Sequence, residues 1–207
     1  MRRSISNVLI SALLITGSAI VGLAQGGQQP QPQQPKGALI PTAGVRAELL
    51  GQLEEAEKKL LALAEATPQE KYTWRPGEGV RSISEVYMHV AGANFNIPKA
   101  AGINPPAGLE SDLEKIVDKA KVVDNLRRSF EHVRAALSST ADADMDKKVK
   151  LFGSDTTARD VFLLLATHAH EHLGQSIAYA RMNNIVPPWT AARQQAQPQP
   201  TPRPKPL

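Results

Sequence analysis

Leucine and alanine recur in a 4-3-4-3 rhythm from Leu49 through Leu53, Ala56 and Leu60 to Leu63, and that rhythm constrains this chain more than any other feature. An α-helix turns about 100° per residue, so side chains at this spacing share one stripe that must be buried against another surface. Pro41 and Pro68 bracket the segment. A second segment opens at Ser82, has Glu85 three residues on in a capping-box pattern, and carries Val86, His89, Ala93 and Ile97 on one stripe before Pro98. The third repeats the pattern with Ser111 and Glu114, then runs Leu113, Ile116, Ala120, Val123, Phe130, Val133 and Leu137. The fourth opens near Thr157 and Asp160 and runs Val161, Leu165, His168, His172, Gln175, Tyr179 and Met182 toward Pro187. No stretch shows the period-two alternation of a strand. The expected fold is all-α: an antiparallel four-helix bundle of helices roughly 17 to 29 residues long, with the inward stripes forming one core.

Both flanks change character. Residues 1–24 start with Arg2 and Arg3, continue through an apolar run from Val8 to Leu23, and place Gly22 and Ala24 at the minus-three and minus-one positions of a cut before Gln25. This is the pattern of a cleaved secretory signal peptide, and its run is short and interrupted for a membrane span. The expected location is therefore exported, periplasmic or extracellular, with no integral membrane segment after cleavage. Residues 25–40 form a Gln/Pro-rich linker and residues 191–207 a Pro/Gln-rich basic tail, both too poor in apolar side chains to offset the entropy of ordering. The folded domain is expected over residues 41–190.

The net charge of +4 invites a nucleic-acid reading until its location is considered. Arg2, Arg3, Arg193, Arg203 and Lys205 sit at the ends, and without them 19 basic residues face 20 acidic ones. The folded part has no electrostatic motive to bind nucleic acid, and none is expected as a partner. The chain has no cysteine, which excludes disulfides, thiolate metal sites, iron–sulfur clusters and a cysteine nucleophile. Any metal site must use histidine and carboxylates.

Five histidines are available: His89, His132, His168, His170 and His172. His168 and His172 stand four apart, so they share a helix face one turn apart, and that face is the inward one. His170 points away from them. His89 lies on the inward stripe of the second helix. Each could hydrogen-bond separately to a carbonyl or carboxylate, which is the usual fate of a lone buried histidine. Three imidazoles facing one apolar interior are better satisfied together by a divalent metal ion. His132, preceded by Glu131 and followed two positions on by Arg134, reads as a solvated flank without a role. The string His168-Ala169-His170-Glu171-His172 also matches the H-x-x-E-H form of inverted zincins, but too little ordered chain follows it to supply the further ligand such peptidases need. Neither H-E-x-x-H, a Gly-rich phosphate loop nor G-x-S-x-G occurs.

Trp74-Arg75-Pro76 followed by Gly79 and SISEVYMHVAGAN, then Leu151-Phe152-Gly153, then THAHEHLGQSIAYARMNNIVPPW, resemble the DinB-like (DinB/YfiT) superfamily over about residues 45 to 190. The resemblance implies a four-helix bundle, a homodimer, and a divalent metal ion, nickel or zinc, held by His89, His168 and His172. Some relatives are thiol S-transferases that use low-molecular-weight thiols, some are maleylpyruvate isomerase-like, and many are metal-dependent hydrolases. The expectation is thus an exported metal-dependent enzyme in which metal-activated water or thiol attacks a small-molecule substrate. Its alternatives are a non-catalytic protein that binds a metal or small ligand, and a metal-free structural bundle. Gln175, Tyr179 and Arg181 are candidates to shape the site, each with a plain packing or helix-end role as its rival.

Overall fold

In the computed structural model, which describes residues 40–196 except residue 42, the stripe from Leu49 to Leu63 is buried as expected, with Leu53, Ala56, Leu60 and Leu63 wholly inaccessible. It belongs to helix α1 (Gly44–Ala66). Thr67 ends this helix by donating its hydroxyl to the Leu63 carbonyl at 2.7 Å, and Pro68 cannot continue it. The following loop folds back on itself. Tyr72 donates to the Ala64 carbonyl at 2.8 Å, while the Ile83 and Ser84 amides donate to Trp74 and Tyr72 at 3.0 and 2.9 Å. Helix α2 (Ile83–Asn96) then starts on the capping box: Glu85 N–H to Ser82 Oγ at 3.3 Å, and Ser82 N–H to Glu85 Oε2 at 2.7 Å.

Helix α3 (Lys119–Ser139) begins later than its sequence pattern suggests. Ser111 and Glu114 flank only a short 3₁₀ turn, Leu113–Lys115, and the true cap is Asp118, which accepts from the Lys121 amide at 3.0 Å. Tertiary contacts decide the start. Gln69 accepts from the Lys119 amide at 2.7 Å and donates to the Val117 carbonyl at 2.8 Å, and Lys119 Nζ donates to the Glu65 and Thr67 carbonyls at the end of α1. These bonds hold residues 116–118 extended and leave a local cap motif without a helix to cap.

A strand pair appears where none was expected. Strands β1 (Lys148–Leu151) and β2 (Ser154–Thr157) form an antiparallel hairpin with Leu151 opposite Ser154. Its alternation, Lys148 and Lys150 outward with Val149 and Leu151 against the core, spans only four residues, too few to stand out in the sequence. Helix α4 (Ala158–Met182) follows directly, capped by Thr157 and Asp160 as the sequence indicates. Met182, expected on its inward stripe, is instead exposed, as the last residue of the helix. Helix α5 (Pro188–Ala196) carries structure past the boundary expected at residue 190. Proline suits a first helical turn, and Trp189 packs back on the core with Lys59 Nζ 5.7 Å from its ring centre. The expected leader and linker, and the tail from residue 197, lie outside the described residues. Among the described residues, no helix is long and apolar enough to cross a membrane.

The all-α four-helix bundle is thus the architecture, with the hairpin added at the head of α4. Of the consecutive helices only α2 and α3 pack side by side, whereas α1 and α2, and α3 and α4, do not. Helix α1 packs on α3 and α4, and α2 packs on the same two. The long links at residues 67–82 and 140–157 therefore join helices across diagonals. For the site, the important consequence is the α2–α4 contact.

Candidate metal centre

The α2–α4 contact brings His89 against His168 and His172. His168 Nε2 stands 3.1 Å from His89 Nε2 and 3.1 Å from His172 Nε2, and all three ligand atoms fall within 4.8 Å of one another. His172 is buried, and the other two are half-buried. His170 lies away from this group, as its phase requires, and donates from Nε2 to the Gln52 carbonyl on α1 at 3.1 Å. His132 is not the solvated flank that its charged neighbours suggest. Its ring packs 5.9 Å from that of Phe95, burial pushes its pKa below the ordinary histidine value, and its Nε2 has no partner among the described residues. The misreading has a simple cause: Arg134, two residues on, turns inward to pair with Glu57 on α1, so this side of α3 faces the bundle.

Hydrogen bonds on the far side of two rings fix their tautomers. The Glu114 carboxylate can only accept, so His89 Nδ1 carries the hydrogen and donates it to Oε1 at 3.1 Å. His172 Nδ1 likewise donates to Gln175 Oε1 at 2.8 Å. Gln175 Nε2 passes the contact on to Tyr179 Oη at 2.9 Å, and the Tyr179 ring is held edge-on by Trp74 at 5.5 Å. In the neutral rings of His89 and His172, both Nε2 atoms are therefore lone-pair acceptors. A single proton on His168 Nε2 could serve only one of them, and His168 Nδ1 is buried without a partner among the described residues. Hydrogen bonding alone cannot satisfy this set, whereas one cation accepts a lone pair from each ring. Nitrogen ligands sharing a tetrahedral zinc at about 2.1 Å stand about 3.4 Å apart, close to the 3.1 Å of the two pairs that include His168. The three histidines could hold a metal ion, and the donor set fits one.

The rings of His168 and His89 are also biased toward the neutral form. Burial is the main cause that pushes His168 down to about 4, with His172, His89 and Arg81 adding to it. His89 is lowered first by burial, then by Arg81 and His172, with Glu114 opposing. Beside the triad lies an open cleft of about 680 Å³ lined by Gly79, Val80, Arg81, Glu114, Glu171, His172 and Gln175. Glu114 links the cleft to the triad, since its second oxygen accepts from Arg81 Nε at 3.1 Å. Sequence reasoning read Glu114 as a helix cap and passed over Arg81. Only the fold of the α2–α3 link brings them to His89, and the sequence carries no spacing signal for that. Of the other candidates, Gln175 and Tyr179 join the hydrogen-bond chain from His172, while Arg181 lies exposed in the last turn of α4.

Fold and site together define a helical bundle with a three-histidine centre between two neighbouring helices. The chain belongs to the DinB superfamily, whose family model matches residues 52–176, a span containing all three histidines. Among solved structures, it is similar to a DinB-like protein from Bacillus cereus ATCC 10987, with 18% identity and a TM-score of 0.61, covering 68% of this chain and 93% of that one. It is also similar to the DinB-like protein YjoA from Bacillus subtilis, with 20% identity and a TM-score of 0.54, covering 67% and 93% respectively. At these identities the likeness establishes the shared fold. No curated protein matches the chain significantly.

Proposed function

We propose that this chain is an exported metal-dependent enzyme, of hydrolase or thiol S-transferase type, that attacks a small-molecule substrate with a metal-activated water or thiol. The observation that carries this reading is the meeting of three Nε2 atoms, from His89, His168 and His172, beside an open cleft. Three imidazoles without thiolate suit nickel or zinc, and three protein ligands is the count typical of catalytic rather than structural zinc. A divalent ion bound there supplies the Lewis acidity that makes a nucleophile available near neutral pH.

The protein's own groups prepare that site. Glu114 and Gln175 accept the Nδ1 hydrogens of His89 and His172, which fixes both rings in the tautomer that presents Nε2. Burial disfavours protonation of His168, so its lone pair stays available at neutral pH. The leader supports export, and export favours water over a cytoplasmic thiol as the nucleophile. The near-neutral folded part supports a small molecule rather than nucleic acid as partner. A homodimer is proposed on family grounds.

The test is metal analysis of the purified chain beside H168A/H172A, followed by hydrolase and thiol-conjugation substrates offered to the loaded and chelated forms. Stoichiometric nickel or zinc that disappears in the double variant, with metal-dependent turnover, is the expected result. Metal retained by the double variant overturns the site. Metal binding without turnover across the panel leaves a binding protein.

A further inference from the structure

Arg81 is the only cation among the residues lining the cleft, and its guanidinium is half used. Its Nε donates to Glu114 Oε2 at 3.1 Å, while neither terminal amino group has a protein partner among the described residues. A guanidinium offers two edges to a carboxylate, one through Nε and one through its two terminal nitrogens. Glu114 uses the first and the second is left over. Glu171 lines the same cleft without pairing to it. Arg81 is also fixed relative to the triad, because the carboxylate that holds its Nε holds His89 Nδ1 with the other oxygen. A side chain positioned this way loses less freedom when a ligand binds than a free surface arginine does.

We infer that Arg81 anchors a carboxylate of the substrate, so that the site takes small organic acids whose reacting end lies at the three histidines. This inference rests on the enzyme reading above and adds the substrate class to it. Gly79 and Val80 contribute no charge to that part of the wall, and the Glu114 charge is shared between Arg81 and His89. The planar fork matters as much as the charge, since lysine cannot present two parallel donors to one carboxylate.

Two measurements on the full chain test the anchor. In the first, cobalt(II) replaces the native metal as a spectroscopic reporter, and its absorption is titrated with 3-mercaptopropionate and with the neutral 3-mercaptopropionamide. The acid is expected to bind roughly tenfold tighter than the amide, as a charge-assisted contact implies. In R81M that preference should fall to about unity while amide affinity stays within about twofold, and R81K should restore only part of it. An acid preference that survives R81M, or none in the parent chain, overturns the inference. The second measurement needs no metal. Glutarate, but not glutaramide, should shift the Arg81 guanidinium NMR signal in the chelated chain, and an unmoved signal overturns the anchor whatever cobalt does. Cobalt binding that is absent, or that survives H168A/H172A, counts against the enzyme reading alone.

Discussion

Glu114 serves two partners with one carboxylate, and its charge is what a substitution should expose. Glu114→Gln keeps an oxygen that can accept from His89 Nδ1 at much the same position but loses the charge that raises the basicity of Nε2. Metal affinity is expected to fall by roughly 10- to 100-fold, with the apo melting temperature little changed. Competition titration with a chromophoric chelator reads this directly, and unchanged affinity would remove Glu114 from the site. A pH dependence also follows from the imidazoles. His168 is lowered from 6.5 to about 4 in the fold, so between those values the unfolded chain binds more protons than the native one. Stability of the metal-free protein must then fall as pH drops through 6.5 toward 4, with His89 and His132 contributing in the same direction. Thermal melts of the chelated chain across that window should show the decline, and a shallower slope in His168→Leu. A parent melting temperature that is flat over the window would contradict neutral burial of these rings.

Helices whose stripes meet the core were legible because burial and sequence period agree, as in α1 and α4. Where tertiary contacts overrule local preference, legibility failed. Ser111 and Glu114 match a capping box, yet Gln69 and Lys119 settle the start of α3 with its cap seven residues later, at Asp118. The hairpin was missed for the opposite reason, since its signal is local but very short. At its tip Phe152 and Gly153 have φ of 51° and 84°, the paired positive values of a type I′ turn. Glycine accepts this without strain, but phenylalanine does not, and Phe152 is 82% exposed, so it gains little packing in return. Phe152→Asn should therefore stabilise the protein by about 1 kcal/mol, because asparagine tolerates the left-handed region. Chemical denaturation would show a higher midpoint with an unchanged slope. A loss of stability instead would mean that the exposed ring contributes a contact worth more than the turn strain.

The connectivity of the bundle gives the triad a mechanical meaning. Helices α2 and α4 are far apart in sequence but packed together, and His89 meets His168 from 79 positions away. Two of the three ligands were readable because they share one turn of helix. The third was readable only as an inward position, since spacing along a chain does not say which helices become neighbours. An ion held by all three would tie α2 to α4, and the unfolded chain keeps no such arrangement. Metal binding is then linked to folding of the entire bundle. At free metal 100-fold above its dissociation constant, the linkage adds about 2.7 kcal/mol. For a domain of this size that corresponds to a rise of roughly 5 to 10 °C in melting temperature. The rise should grow with the logarithm of free nickel or zinc, vanish with excess chelator, and be absent in both H89A and H168A/H172A. Its persistence in H89A alone would mean that α4 holds the ion without α2, and the centre would then be a two-histidine surface site rather than a staple between helices.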